Sequence, residues 1–520
     1  MFASYLARFS PCSPRIRKDA GQELCSLLIQ LSFLHPKGIP NISHLTIRCP
    51  FSIISAFVTF ENYYKRTKSL ISAQIKKGFV KVMMEVKPFK AYRFNEAIVG
   101  DVGSCIAPPY DIISPAQQQR LYEKSEYNIV RITKGKTTPF DNDSDNQYTR
   151  AADYLNTWIA KGILKQDSTE AIYVYVQDFE LGGVEYQRFS FVARAKLEEF
   201  GKIVKPHEQI LNELIIDRLN LKRATAARFG LVFMLYEDKQ KIADKITERT
   251  LKQQEPLIDF IDEENVRHRL FAITAEDDVD AIMKMMSDKS CIIADGHHRY
   301  TTGLTYSKES TNPAAKYQML AFTNICQDGL IVLATHRVVG DLEDFDSQKL
   351  IADLKENFQI TEYHFGSSQA KTNEKQKMLA QMKAKQVLGK NAFGIYIGDN
   401  TFYVAVLKNQ RIMDSVVPEM SSAWKSLDVS VLHKLVLEKL LGIDEEKLAR
   451  GENVEYVKDT GSKIDKLITK IDAGEKQVVF FMNPPKIKQI QMVTDQGERM
   501  PQKSTYFYPK VYTGLTIDKL

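Results

Sequence analysis

The stretch Ala294-Asp295-Gly296-His297-His298-Arg299-Tyr300 gathers two imidazoles, a guanidinium and a carboxylate around one glycine. An apolar run at 291–294 precedes it, and residues that can be helical, Tyr300, Leu304 and Thr305, follow. This order predicts a strand, a tight Asp-Gly turn and a helix start. Backbone N–H groups at a helix N-terminus are unpaired and carry partial positive charge, so they favour an anion. His297, His298 and Arg299 would add side-chain donors at the same place. A phosphate group is the ligand this chemistry suits best. The alternative is a turn whose histidines are solvated or satisfied by neighbours. Three such side chains in succession, after a buried strand and a Gly turn, favour a site.

Four other segments carry residues of the same kind. In Ala107-Pro108-Pro109-Tyr110-Asp111 the prolines fix an extended backbone that could hold Tyr110 or Asp111 at a pocket rim. In Pro206-His207-Glu208, Glu208 could act as a general base, as a metal ligand or simply as surface. His336-Arg337 ends an apolar run and could supply a second cationic contact to an anion. The tail Met500-Pro501-Gln502-Lys503-Ser504-Thr505 offers a cation and two hydroxyls in succession. It lacks a Gly-rich approach loop and is not a Walker motif.

Positioning these residues requires several elements. Ser114-Pro115 starts a helix, Ser114 as its cap. Tyr148, Ala152, Leu155 and Ile159 share one helical face, and Gly162 stops that helix. Residues 171–179 and 185–197 alternate as strands around Leu181-Gly182-Gly183, a hairpin signal. Residues 229–236, 319–324, 330–335 and 478–482 read as strands, and 393–397 with 401–407 as a second hairpin. A helix at 276–286 has Thr274 available as a cap, and Asp428 caps another, which ends at Gly442. Strands and helices alternate irregularly and hairpins recur. The prediction is therefore α+β with mixed sheets, not a doubly wound parallel sheet.

The chain of 520 residues, 44% hydrophobic and 26% charged, has the composition of a soluble globular protein of two or three domains. No apolar run reaches membrane-spanning length. Six cysteines without paired spacing argue against a disulfide framework or zinc ribbon and fit a reducing cytoplasm. The net charge of +6 is unevenly spread. Residues 1–84 hold 12 Lys/Arg against 3 Asp/Glu, whereas the remainder holds 59 against 62. The body thus carries no basic surplus for nucleic acid. Residues 1–83 are basic, Ser-rich and unpatterned. They read as an extension upstream of the true start at Met83 or Met84, in preference to a targeting peptide or a small helical domain.

From about residue 84 to 515 the chain resembles the DUF1015 family, on the landmarks Ala107 to Asp111, His207-Glu208 with Asp217-Arg218, Asp295 to Tyr300, His336-Arg337 and the tail from Met500 to Leu515. The Asp-Gly-His-His-Arg stretch also resembles the phosphate-binding motif of the ParB/sulfiredoxin-like superfamily, which includes a free-serine kinase. The resemblance implies a central phosphate-binding core flanked by α+β segments. Residues 84–345 would form the family-like core, and residues 346–520 a C-terminal α+β part whose tail closes the same site.

The expected activity is phosphoryl transfer on a small metabolite, serine or phosphoserine, by a kinase or a phosphatase. Gly296, His297, His298 and Arg299 would hold the transferring phosphate, and Glu208 would take the proton. Asp111 or Asp295 would help hold Mg²⁺, with ATP or ADP as a possible nucleotide. Tyr110, Asp111, His207, His336, Arg337, Lys503, Ser504 and Thr505 are candidates for the substrate's phosphate or carboxylate. The partner is then a small phosphorylated molecule or a nucleotide, with no membrane and no nucleic acid; nothing in the sequence speaks to oligomeric state. Two other readings stand beside it. One is a metal-dependent hydrolase using His207, Glu208, His297 and His298, although adjacent helical residues seldom share one metal. The other is a non-catalytic nucleotide- or nucleic-acid-binding regulator of ParB-like type.

Overall fold

A computed structural model describes residues 84–209, 212–459 and 463–520. The extension expected at 1–83 lies outside the described residues. The fold is α+β, built on two larger sheets. The first has nine strands. Its path runs Val204–Pro206, Cys291–Asp295, Val232–Tyr236, Tyr317–Asn324, Val184–Lys196, Ile172–Leu181, Arg267–Ile273, Ile258–Ile261, and Val86–Lys87 pairs beside Val184–Lys196. Most neighbours are antiparallel. Val204–Pro206 runs parallel to Cys291–Asp295, and Val232–Tyr236 parallel to Tyr317–Asn324. The hairpin at Gly182-Gly183 forms because both glycines take positive φ, 62° and 79°, as a two-residue turn of the strand-matching hand requires.

Both faces of this sheet are covered. Side chains alternate along a strand, so Ile172, Val174 and Val176 enter one apolar cluster while Tyr173 and Tyr175 enter another. The helices Ile242–Gln253 and Glu276–Met286 close the first face with Ala243, Ile246, Val279, Ile282 and Met286, spaced to share one helical stripe.

The second sheet has six antiparallel strands in the order Phe358–His364, Thr401–Leu407, Ala392–Tyr396, Val478–Phe481, Thr335–Val339, Val454–Lys458. The helices Ser368–Val387 and Lys463–Asp472 cover one face through Met378, Met382, Ile464, Leu467 and Ile471. No helix among the described residues is long and apolar enough to cross a membrane.

Three local expectations change. The run at 330–335 is two strands: Ile331–Leu333 pairs with Tyr506–Tyr508 of the tail, and Thr335–Val339 enters the second sheet. The change of sheet falls at Ala334. Thr274 does not cap its helix; the cap position is Ala275, without a side-chain bond. Asp428 is not a cap either. It lies one position inside, where Asn391 donates to it at 2.8 Å and Asn483 at 3.3 Å, and burial lifts its pKa to about 6. Donors far away in sequence recruited its carboxylate, which is why local spacing misplaced it.

The C-terminus returns to the first sheet. Ala107 and Thr513 exchange backbone bonds at 3.2 and 2.8 Å, and Tyr92 and Ile517 do so at 2.8 and 2.9 Å. Asp518, fully buried, accepts from Arg194 and Arg228.

Candidate functional site

The strand Cys291–Asp295 shifts register against Val232–Tyr236 between Ile293 and Asp295, an irregularity that re-aims its last residue while Asp295 still pairs with Phe233. Gly296 then turns the chain at φ 91° and ψ 30°, and the helix His297–Glu309 begins. The backbone conformation favours glycine, and a Cβ at Gly296 would lie 3.0 Å from the Arg299 guanidinium, which would have to give by a few tenths of an ångström. The parallel neighbour Val204–Pro206 ends beside this turn. Parallel strands place like ends together, and this brings His207 against the helix start.

His207 is fully buried and doubly bonded. Its Nδ1 lies 2.5 Å from the Ile293 carbonyl oxygen and its Nε2 lies 2.7 Å from Thr505 Oγ1. Its backbone N–H donates to His297 Nε2 at 3.2 Å. Burial lowers the pKa of His207 and drives that of His297 well down, with His207 adding to the latter, so both rings are neutral. Burial works against the Asp295 carboxylate, yet Lys510 and Arg299 outweigh it and hold Asp295 well below the usual carboxylate range. Lys510 donates to Asp295 Oδ1, and Arg299 donates to Oδ2 at 2.7 Å.

A cleft of about 1000 Å³ opens here, large enough for a nucleotide-sized ligand. Its walls include Tyr110, Asp111, Glu208, Asp295, His298, Lys458, Lys503, Thr505, Tyr506 and Lys510. Lys134 holds the turn Tyr110–Ile112 in place by donating to the Tyr110 and Ile113 carbonyls at 2.9 and 2.5 Å. The Arg218 guanidinium stacks 4.0 Å over the Tyr110 ring. His298 is lowered by burial, while Asp111 and Glu208 act to raise it.

The tail reaches the cleft because two buried arginines hold its backbone. Arg337 donates to the carbonyls of Gln502 and Lys503 at 3.4 and 3.2 Å, and Arg188 to those of Tyr508 and Pro509 at 3.1 and 2.5 Å. Among the described residues neither guanidinium forms an ion pair with a carboxylate; each donates largely to main-chain oxygens. Lys503, at φ 53°, adopts a backbone that non-glycine residues seldom take. Between the clamps Tyr506 presents its ring to two ammonium groups, Lys458 at 4.3 Å and Lys510 at 4.5 Å. Burial, reinforced by Lys510, Lys503 and Lys463, pushes the Lys458 pKa down to about 8.

Tyr110, Asp111, Glu208, Asp295, His298, Lys503 and Thr505 therefore meet at one cleft. Seven other candidates do not line it, among them Gly296, whose backbone makes the turn, and His207. His297 lies beneath, bonded to His207. Arg299 turns under Gly296 toward Asp295 and the Leu231 carbonyl and faces a separate cavity of about 70 Å³. Ser504 donates to the Pro501 carbonyl and is buried. His336 accepts from the Met482 N–H at 3.1 Å inside the second sheet, and Arg337 acts on the tail backbone. His207 lies behind the cleft wall, bonded to Thr505 and 4.0 Å from Glu208. Lys458 and Lys510 were not singled out, because no motif distinguishes them among 71 Lys and Arg residues.

The donor set is uneven toward a divalent metal. Each Asp295 oxygen is already bonded to a cation, which would repel a second one, whereas Asp111 and Glu208 line the cleft as carboxylates. Both ring nitrogens of His207 are occupied, so the four-ligand set His207, Glu208, His297 and His298 does not form. Among the described residues no group of three His, Cys, Asp or Glu side chains could hold a metal ion.

The profile of one family, described as a protein of unknown function (DUF1015), matches residues 86–430. Solved structures with some likeness include a free serine kinase mutant in complex with ADP: 14% identity, TM-score 0.29, covering 58% of this chain and 83% of that one. They also include a conserved hypothetical protein from Pyrococcus furiosus (15%, TM-score 0.28, 59% and 88%) and SbnI with C-terminal truncation from Staphylococcus aureus (9%, TM-score 0.30, 63% and 87%). No curated protein matches the sequence.

Proposed function

The chain belongs to the DUF1015 family, and on the cleft described above we propose that it is a phosphoryl-transfer enzyme acting on a small metabolite, serine or phosphoserine. The convergence of Lys458, Lys503 and Lys510 on one cleft carries this reading. An ammonium group whose pKa has fallen to about 8 among other cations is a group that an anion would stabilise. A phosphoryl group is the anion of matching size and charge, and spreading charge in its transition state is what such cations favour.

In this reading Lys458, Lys503 and Lys510 hold the phosphoryl oxygens at the start of the helix His297–Glu309, with His298 beside them. Glu208 is the carboxylate placed to take the proton of a substrate hydroxyl or of water. Asp111 and Glu208 are the residues that would face Mg²⁺, which would supply further charge neutralisation at the phosphate oxygens. Serine as the metabolite rests on the Asp-Gly-His-His-Arg stretch. The cleft volume leaves room for ADP or ATP beside it.

The test is turnover. The full chain is incubated with Mg²⁺ and, separately, with O-phosphoserine, serine plus ATP, and serine plus ADP. Phosphate released without nucleotide identifies a phosphatase, and phosphoserine formed only with nucleotide a kinase. No turnover in any mixture, with nucleotide still bound, rejects the enzyme reading in favour of a binding protein.

A further inference from the structure

We propose that Thr505 is a nucleophile that carries the phosphoryl group, with His207 as its base. The inference rests on the phosphoryl-transfer reading and deepens it, since it names the route the group takes.

The chain of hydrogen bonds decides where each proton sits. A carbonyl oxygen can only accept, so the 2.5 Å contact to Ile293 places the His207 proton on Nδ1. The buried ring is neutral, which leaves a lone pair on Nε2. Thr505 Oγ1, 2.7 Å away, must then be the donor. Its proton points at a base and its own lone pairs point elsewhere, and Thr505 lines the cleft with Lys458, Lys503 and Lys510. A nucleophile bonded to a base that a third group orients is the arrangement that activates a hydroxyl. Glu208 Oε1 lies 4.0 Å from His207 Nε2, in reach to balance the imidazolium formed when that nitrogen gains a proton. A purely structural hydroxyl is the competing explanation. The tail backbone on either side of Thr505 is already held by Arg337 and Arg188, so its anchoring does not depend on that bond.

The two half-reactions balance. In the first, Thr505 Oγ attacks the phosphorus of a phosphomonoester in line. The Oγ–P bond forms and the ester P–O bond breaks; His207 Nε2 takes the hydroxyl proton, and the leaving oxygen takes a proton from the Lys458 ammonium. In the second, water or a metabolite hydroxyl attacks phosphothreonine from the same side. The neutral Lys458 amine takes the acceptor's proton, and Oγ leaves and recovers its own from His207. On this route the Lys458 amine replaces Glu208 as the base for the acceptor, and Glu208 balances the charge of the His207 imidazolium. One mechanism then yields a phosphatase with water and a phosphotransferase with a hydroxyl acceptor, without donor and acceptor bound together.

The experiment uses the full chain with p-nitrophenyl phosphate and O-phosphoserine. Acid-quenched protein is digested and the phosphoryl group mapped by mass spectrometry. One phosphoryl group at position 505 is expected, in wild type and in Thr505→Ser. Thr505→Val strands the buried His207 Nε2 and should lower the melting temperature modestly while the chain stays folded, and it should lose turnover by ~10²-fold or more, as should His207→Gln; Thr505→Ser, which keeps the hydroxyl, should retain turnover. Transfer of a chiral phosphoryl group should proceed with retention, the result of two in-line displacements. Turnover persisting in Thr505→Val, or inversion at phosphorus, overturns the proposal and leaves the phosphoryl-transfer reading standing. Absence of turnover with every phosphate donor overturns both.

Discussion

Lys458 should stabilise the bound anion at the expense of the fold, and Lys458→Met separates the two effects. Its pKa falls from 10.5 to about 8, so between these values the unfolded chain binds a proton that the folded chain has lost. Stability therefore rises with pH across this window. The penalty is fully present below pH 8 and is gone above about 10.5. A shift of that size corresponds to ~3 kcal/mol at pH 7. Methionine keeps the aliphatic stem but gives up the contact with the Tyr506 ring, worth ~0.5–1 kcal/mol. The variant is thus expected to be more stable than wild type by ~2 kcal/mol at pH 7. Urea titrations at pH 7 and pH 10 read the difference, which should shrink at the higher pH. Phosphate affinity moves the other way. With a pKa of about 8, roughly nine-tenths of Lys458 is charged at pH 7 and one-tenth at pH 9. Wild-type affinity should fall about tenfold over that interval, and the variant's should be weaker and nearly flat. A variant less stable than wild type at pH 7, or a stability gap unmoved by pH, would refute the reasoning.

Gly296→Ala should lower stability by ~1–2 kcal/mol, read by thermal melting, because φ is 91° and the new Cβ meets the Arg299 guanidinium. His298→Ala and Arg299→Ala should part company: the first lowers turnover by ~10²-fold at unchanged melting temperature, and the second lowers melting temperature because Arg299 serves Asp295 and Leu231. Arg337→Met should weaken phosphate binding about as much as Lys503→Ala, measured by calorimetry. The double variant should add little, because Arg337 acts through the Lys503 backbone. Asp518→Asn should reduce stability by ~3–5 kcal/mol in urea, since it leaves the charges of Arg194 and Arg228 uncompensated at the C-terminus.

Much of the local structure was legible. The strand, Gly turn and helix at 291–309 followed from an apolar run, a glycine and helical spacing, and the Gly182-Gly183 hairpin from alternation around a turn. The site was legible in part. Asp111, Glu208, His298, Lys503 and Thr505 reach the cleft, whereas Arg299, Ser504, His336 and Arg337 have the right chemistry and point elsewhere. Residue type announces what a side chain can do, and adjacency in sequence says little about which way it faces. His298 and Arg299 are consecutive on one helix, and only the first lines the cleft, since neighbouring helical positions diverge by about 100°.

The amino-acid sequence alone determined the short-range features, because they depend on backbone sterics and on periodicity over a few residues. Glycine at 296 suits a φ of 91° that L side chains seldom adopt, and the alternation around Gly182-Gly183 specifies a strand pair. Tertiary structure decided which distant segments meet. His207 reaches Ile293 and Thr505 across 86 and 298 positions because parallel pairing aligns two strand ends and two buried arginines pin the tail. It also decided the charge state of the site. Lys458 is an ordinary lysine in sequence, and only burial beside Lys503 and Lys510 makes its proton labile, because desolvation and like-charge repulsion exist once the groups are close.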